Sequence, residues 1–193
     1  SKFINDELLW HNLGGGGMND KLMQAEDLLL NYQSDMTRAF WQDRYRGIFR
    51  ANNLIATLGN CKGITEETYN QLMGEALFLR AFFYYELASM YGNVPLLTTT
   101  DATDLPGASA ADMFGQILLD LKTAADIMPA QAQMGSGHVD KYCAEALLGR
   151  VFLYYTGMYC NGETIADLTS TTYNPMSSVV LADGSTLTKE QVA

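Results

Sequence analysis

Much of the apparatus of familiar protein chemistry is missing from this chain. No apolar run approaches the roughly 18 residues that a membrane-spanning helix needs, so nothing in the sequence reads as a bilayer span. There are three cysteines, Cys61, Cys143 and Cys160, odd in number and without metal-site spacing, so neither a disulfide framework nor a zinc site follows from them. The two histidines, His11 and His138, have no partner at ligand or catalytic spacing, and no HExxH or CxxC motif occurs. No metal and no cofactor is expected. Bases are scarce as well: 12 against 22 acids, for a net charge of −10. The densest basic cluster is Arg44, Arg46 and Arg50 on one predicted helix, too little to overcome repulsion from a duplex, so nucleic acid is not an expected partner. Gly14 to Gly17 form a four-glycine run without the Lys-Ser/Thr of a phosphate loop; it reads as a flexible break. No pair of carboxylates stands out from solvated helix faces, so hydrolysis has no support and a non-enzymatic role is expected.

What the chain does contain is a repeat. Glu75-Ala76-Leu77-Phe78-Leu79-Arg80-Ala81-Phe82-Phe83-Tyr84-Tyr85 aligns with Glu145-Ala146-Leu147-Leu148-Gly149-Arg150-Val151-Phe152-Leu153-Tyr154-Tyr155, at an offset of 70 and with seven of eleven pairs identical. The same offset lays Ile48, Ala51, Leu54, Ile55 and Leu58 over Leu118, Leu121, Ala124, Ala125 and Met128. Both helices of a two-helix unit therefore recur, the pattern of stacked hairpins that bury their apolar faces only against a neighbour. Apolar residues make up 48% of the chain and charged residues 18%, enough for a packed core.

Helix signals fix the units. The first helix is expected from about Asp35 to Leu58, stopping at Gly59-Asn60. Thr65 is placed to cap the second, with Ile64 and Tyr69 as a staple, Glu66 and Glu67 at its positive end, and Gly92 as its terminator. Ser109 caps the third, which Pro129 ends; Asp140 caps the fourth, which runs to about Gly157. Three regions follow: an N-terminal arm with a glycine-rich loop and a short helix (1–34), two hairpins (35–92 and 109–158), and a looped excursion (159–193) with a small β element near Ser178–Leu181. Thr188 to Gln191 then form a capping box that opens a further helix, so the chain reads as the opening portion of a longer protein, and a segment before Ser1 is equally expected.

The run Gly74 to Leu87 followed by Tyr91-Gly92-Asn93-Val94-Pro95-Leu96 resembles the hallmark of the SusD/RagB family, the surface nutrient-binding lipoproteins of Bacteroidetes glycan-uptake systems. Trp41, Tyr45, Ile48 and Asn52 match its upstream W-x3-Y-x2-I-x3-N pattern, and Lys141 to Tyr154 looks like its second hairpin. The resemblance implies an all-α fold of tetratricopeptide-like hairpins in an α-α superhelix. It also implies capture of oligosaccharides at the outer-membrane cell surface and delivery to a SusC-type TonB-dependent transporter. Membrane attachment would run only through a lipid anchor, whose cysteine this chain lacks. The alternative is a protein-interaction module that grips peptide or glycoprotein ligands.

Site residues follow from the same comparison. Asp6 to Asn12 looks like the loop that carries a stacking tryptophan and a nearby asparagine in the starch-binding member, which nominates Trp10 and Asn12 as ligand contacts. Flat rings stack on the apolar faces of pyranoses while amides bond the hydroxyls. Trp41 is assigned to packing, as are the aromatic runs Phe82–Tyr85 and Phe152–Tyr155. Arg80 and Arg150 share repeat positions on apolar faces, so each is expected to find a carboxylate or helix-end carbonyls and serve architecture.

Overall fold

The computed structural model describes residues 35–101, 105–132, 137–159 and 175–192. Contacts divide the chain into two compact units, Ser1–Tyr45 and Arg46–Ala193. Among the described residues the order is α1 (Asp35–Thr57) with a 3-10 turn at Leu58–Asn60, α2 (Glu66–Tyr91), α3 (Ala110–Ile127), α4 (Lys141–Met158), strands β1 (Ser178–Val180) and β2 (Thr186–Thr188), and α5 (Lys189–Val192). The fold is all-α, and none of these helices is long and apolar enough to cross a membrane.

The helix boundaries lie where side-chain chemistry puts them. Thr65, Ser109 and Asp140 each accept the amide three residues on, satisfying one of the orphan donors of α2, α3 and α4. Gly92 ends α2 with φ of 73°, a left-handed turn open to glycine, its N–H bonded to the Ala88 carbonyl. Ile64, placed as a staple, stays exposed. The Thr188 amide donates to the Gln191 side chain at 2.9 Å, the returning half of the expected capping box. Expected near Ser178–Leu181 alone, the β element is a hairpin, with Val179 opposite Leu187 and a turn at Gly184.

In the Arg46–Ala193 unit α3 packs against both α2 and α4, which hardly touch each other. Three of the apolar positions paired by the 70-residue offset are buried in both copies. Ile48, Ala51 and Leu58 are buried on α1 and its terminal turn, as Leu118, Leu121 and Met128 are on and just after α3. Gly74 lets α2 close on Met128: a Cβ there would stand 2.1 Å from the Met128 Cγ. Leu77, Ala124, Ala125, Met128 and Ala144 form a cluster joining three helices, with small side chains permitting the approach. At the other end Phe114 is ringed by Tyr154, Tyr155 and Tyr159, stacked on Tyr155 at 4.6 Å.

The hairpin of β1 and β2 leans on this stack. Ala182 N–H donates to the Gly115 carbonyl of α3, and Met176 N–H to the Thr156 carbonyl of α4. Gly115 eases that approach, since a Cβ would meet the Val180 carbonyl oxygen at a tight 3.1 Å.

Candidate functional site

Among the described residues, a dense polar network fastens the loop after α2 to three helices. Arg80 is buried mid-helix on α2, and its guanidinium meets Asp120 of α3 as a fork: Nε to Oδ2 and Nη2 to Oδ1, both at 2.7 Å. Nη1 donates to Asn52 Oδ1 of α1 at 2.9 Å and to the Thr98 carbonyl at 3.4 Å. The Asn52 amide in turn donates to the carbonyls of Leu97 (2.9 Å) and Thr99 (3.0 Å). Gln116, one turn before Asp120, donates to its Oδ1 at 2.8 Å. Burial pushes the Asp120 carboxyl up from the usual carboxylate range, opposed by the Arg80 and Gln116 donors that favour its charged form.

Tyr84, one turn after Arg80, closes the clamp. Its hydroxyl accepts the Leu97 N–H at 2.7 Å and donates to the Leu97 carbonyl at 2.9 Å, serving both backbone groups of one residue. Farther along, Pro95 and Gly107 form a β-bridge, and Ala108 N–H donates to the Val94 carbonyl, so the loop is pinched at its neck. A Cβ on Gly107 would stand 2.5 Å from the Asn93 carbonyl oxygen, which is why glycine sits there.

Burial holds the Tyr84 phenol up at about 12. A folded-state pKa raised above the ordinary 10 means stability fully present below pH 10 and lost as pH climbs toward 12. Two units correspond to about 3 kcal/mol. Tyr84→Phe is expected to lose about 1–3 kcal/mol at neutral pH, because the Leu97 N–H loses its acceptor and the Leu97 carbonyl keeps only the Asn52 amide. Its decline in stability between pH 10 and 12 should be shallower than that of the parent, as read by urea denaturation at stepped pH.

Beside this clamp lies an open groove of about 730 Å³, between the 105–109 segment, the first turns of α3 and the β1–β2 turn. Leu96, Leu105, Pro106, Val180 and Leu181 give it apolar walls, Ser109 and Asp112 a polar corner, and Gly107, Gly115 and Gly184 room. The Asp112 carboxylate there accepts the Ser109 hydroxyl at 2.6 Å.

Of the residues singled out by sequence, Trp10, Asn12 and His11 lie outside the described residues. Trp41 rests 4.9 Å from Tyr45, centroid to centroid. His138 Nδ1 meets Glu75 Oε1 at 2.7 Å, and Gln71 bridges Glu75 and the Val139 carbonyl, so this histidine ties the approach to α4 onto α2. Cys61 and Cys143 are free and exposed. The aromatic runs pack as expected, with Tyr84 and Phe152 fully buried and Tyr85 edge-on to Tyr154. Arg80 finds its carboxylate; Arg150 departs from expectation, being exposed with no ion pair among the described residues. The groove and the partners Asp120 and Gln116 were missed by sequence reasoning, which carried no signal for pairings 40 residues apart beyond the unexplained charge on Arg80.

Comparison with known proteins follows the same outline. Residues 15–153 match the family model SusD-like_3, described as starch-binding and associating with the outer membrane. SusD-like protein P2 of Formosa agariphila is 26% identical over 147 residues, 74% of this chain and 29% of its own length. A laminarin-binding SusD-like protein of known structure is 30% identical with a TM-score of 0.66, covering 73% of this chain and 31% of that one. A SusD superfamily protein from Parabacteroides distasonis is 27% identical with a TM-score of 0.66, covering 83% and 35%. The chain thus spans about a third of the length of such relatives. With the family model matched across more than half of its residues, the chain belongs to the SusD-like family.

Proposed function

We propose that this protein captures oligosaccharide nutrients at the outer-membrane surface, without covalent chemistry, and passes them to a SusC-type TonB-dependent transporter. The observation that carries the reading is the family match over residues 15–153, supported by a 30% identical relative described as laminarin-binding. A lipid anchor would hold it at the membrane. Helical layers supply the rigid frame, and recognition falls to segments held against it, as loops on scaffolds generally do. Trp10, with Asn12 beside it, is the proposed stacking residue. Calorimetry of the full-length protein against soluble glycans tests this. Binding to at least one oligosaccharide is expected, and Trp10→Ala should weaken it about tenfold or more, the loss of a ring-stacking contact. Silence across neutral, charged, linear and branched glycans would sink the reading.

One observation favours the second reading, a grip on peptide or glycoprotein ligands. Among the described residues, those lining the groove beside the clamp are aliphatic or small and include no aromatic ring for a pyranose. Saturable binding of unglycosylated peptides, unaffected by added oligosaccharide, would shift the assignment to it.

A further inference from the structure

The acidity of this chain is unevenly spread. Acids outnumber bases 22 to 12 overall, yet from Arg44 to Thr65 the sequence holds Arg44, Arg46, Arg50 and Lys62 and no Asp or Glu. The flanking acids are Asp43 and Glu66. Most of this basic stretch is the second half of α1. Its inner side carries Ile48, Ala51 and Asn52, all buried. Its outer side carries Arg46, Phe49, Arg50 and Asn53, all exposed. Helical spacing sets these four side by side over two turns, about 10 Å of surface.

Phe49 is out of place on such a face. It is 54% exposed, and among the described residues no other phenylalanine is so open to water. Packing does not account for it. The close approach of α2 is made on the far side of α1, where a Cβ on Gly47 would run into the Phe83 ring. What the outer side offers is a flat apolar ring bordered by two guanidinium groups and an amide. An aromatic ring takes the apolar side of a pyranose, and an amide takes its hydroxyls. A guanidinium takes a carboxylate as a two-pronged fork, the pairing that Arg80 and Asp120 make inside the molecule at 2.7 Å. Charge then selects among sugars, because a basic stretch draws an anionic ligand that the rest of a chain of net charge −10 repels.

We propose that this face of α1 is a subsite for uronic-acid residues of an oligosaccharide, with Phe49 beneath the ring, Arg46 and Arg50 on its carboxylate, and Asn53 on a hydroxyl. The inference rests on the glycan-capture reading and names the class of sugar that this face takes. A carboxylate fits better than a sulfate ester, since the guanidinium fork matches two coplanar oxygens. A lipid surface fits less well, because Phe49 is the one large exposed apolar side chain here.

Calorimetry of the full-length protein at low salt compares oligogalacturonate with a neutral malto-oligosaccharide and a sulfated oligosaccharide of the same length. Oligogalacturonate is expected to bind about tenfold more tightly than the neutral sugar, and to lose that margin at about 0.5 M salt as the charges are screened. Arg46→Gln with Arg50→Gln should remove the margin while leaving the neutral sugar's affinity unchanged. Phe49→Ala should weaken oligogalacturonate about fivefold or more, with no shift in melting temperature. Oligogalacturonate bound no better than the neutral sugar, or held equally well by the arginine variant, would overturn the proposal and leave glycan capture standing. Silence from every sugar would defeat both. Preference for the sulfated sugar would also overturn it, as would arginine-dependent binding to anionic phospholipid vesicles with none to oligogalacturonate. A drop in the melting temperature of Phe49→Ala, with its sugar affinity intact, would assign the ring to packing instead.

Discussion

Arg80→Ala is expected to destabilise the protein by about 3–5 kcal/mol, the usual consequence of stranding one member of a buried ion pair. What remains is Asp120, 2% exposed, with the Gln116 amide as its one side-chain donor among the described residues. Asn52 loses a donor as well, and the loop loses the contact at the Thr98 carbonyl. Domains of this size hold about 5–15 kcal/mol in all, so the loss takes a large share. Urea denaturation gives the magnitude, and hydrogen exchange gives the place: the Leu97 amide should exchange faster by more than the global loss explains. Arg80→Lys keeps the charge and loses the fork, so it should recover only part of the stability. Replacing both partners with apolar residues, Arg80→Met with Asp120→Leu, should cost less than Arg80→Ala alone, because no charge is then left buried. A loss below about 1 kcal/mol for Arg80→Ala would mean that the fork at 2.7 Å carries little energy.

This clamp gives physical content to a sequence pattern. The W-x3-Y-x2-I-x3-N run ends on Asn52 because that amide reaches two loop carbonyls while its oxygen holds Arg80. The Arg80 and Tyr84 spacing is one helical turn, so both reach the same loop. What sequence could tell was that a charge on an apolar helix face needs a partner. It could not tell which acid, since Asp120 lies 40 residues away on another helix. Helix ends were legible for a different reason: caps are local chemistry, and Thr65, Ser109 and Asp140 sit within three residues of the amides they accept. Arg150 shows where repeat logic stops. Two positions identical in sequence have unlike surroundings, because a layer's outer face takes its environment from whatever follows it. The groove was illegible for a similar reason, its walls coming from three separated segments.

The second large effect is expected at Phe114, and it probes the opposite seam of the stack. This ring is 1% exposed, lies nearly parallel to Tyr155 (13°), and stands 5.9 Å and 5.8 Å from Tyr154 and Tyr159. Phe114→Ala should cost about 3–5 kcal/mol, because it removes a ring from a close-packed site and leaves a cavity that helices pinned on both sides cannot collapse. The same substitution at Phe49, 54% exposed on α1, should stay within about 0.5 kcal/mol, which makes burial the deciding variable. Two readouts separate this defect from loss of the clamp. The Tyr155 hydroxyl, pushed up chiefly by burial and then by Tyr159 and Asp112, should fall toward its ordinary value as water enters the cavity. Exchange should quicken in the last turn of α4, where Tyr159 N–H donates to the Tyr155 carbonyl, while Leu97 keeps its protection. If both substitutions loosened the whole molecule alike, the stack would behave as one indivisible core. Separate responses at the two seams are what layered hairpins require, since each helix answers mainly to the neighbours it touches.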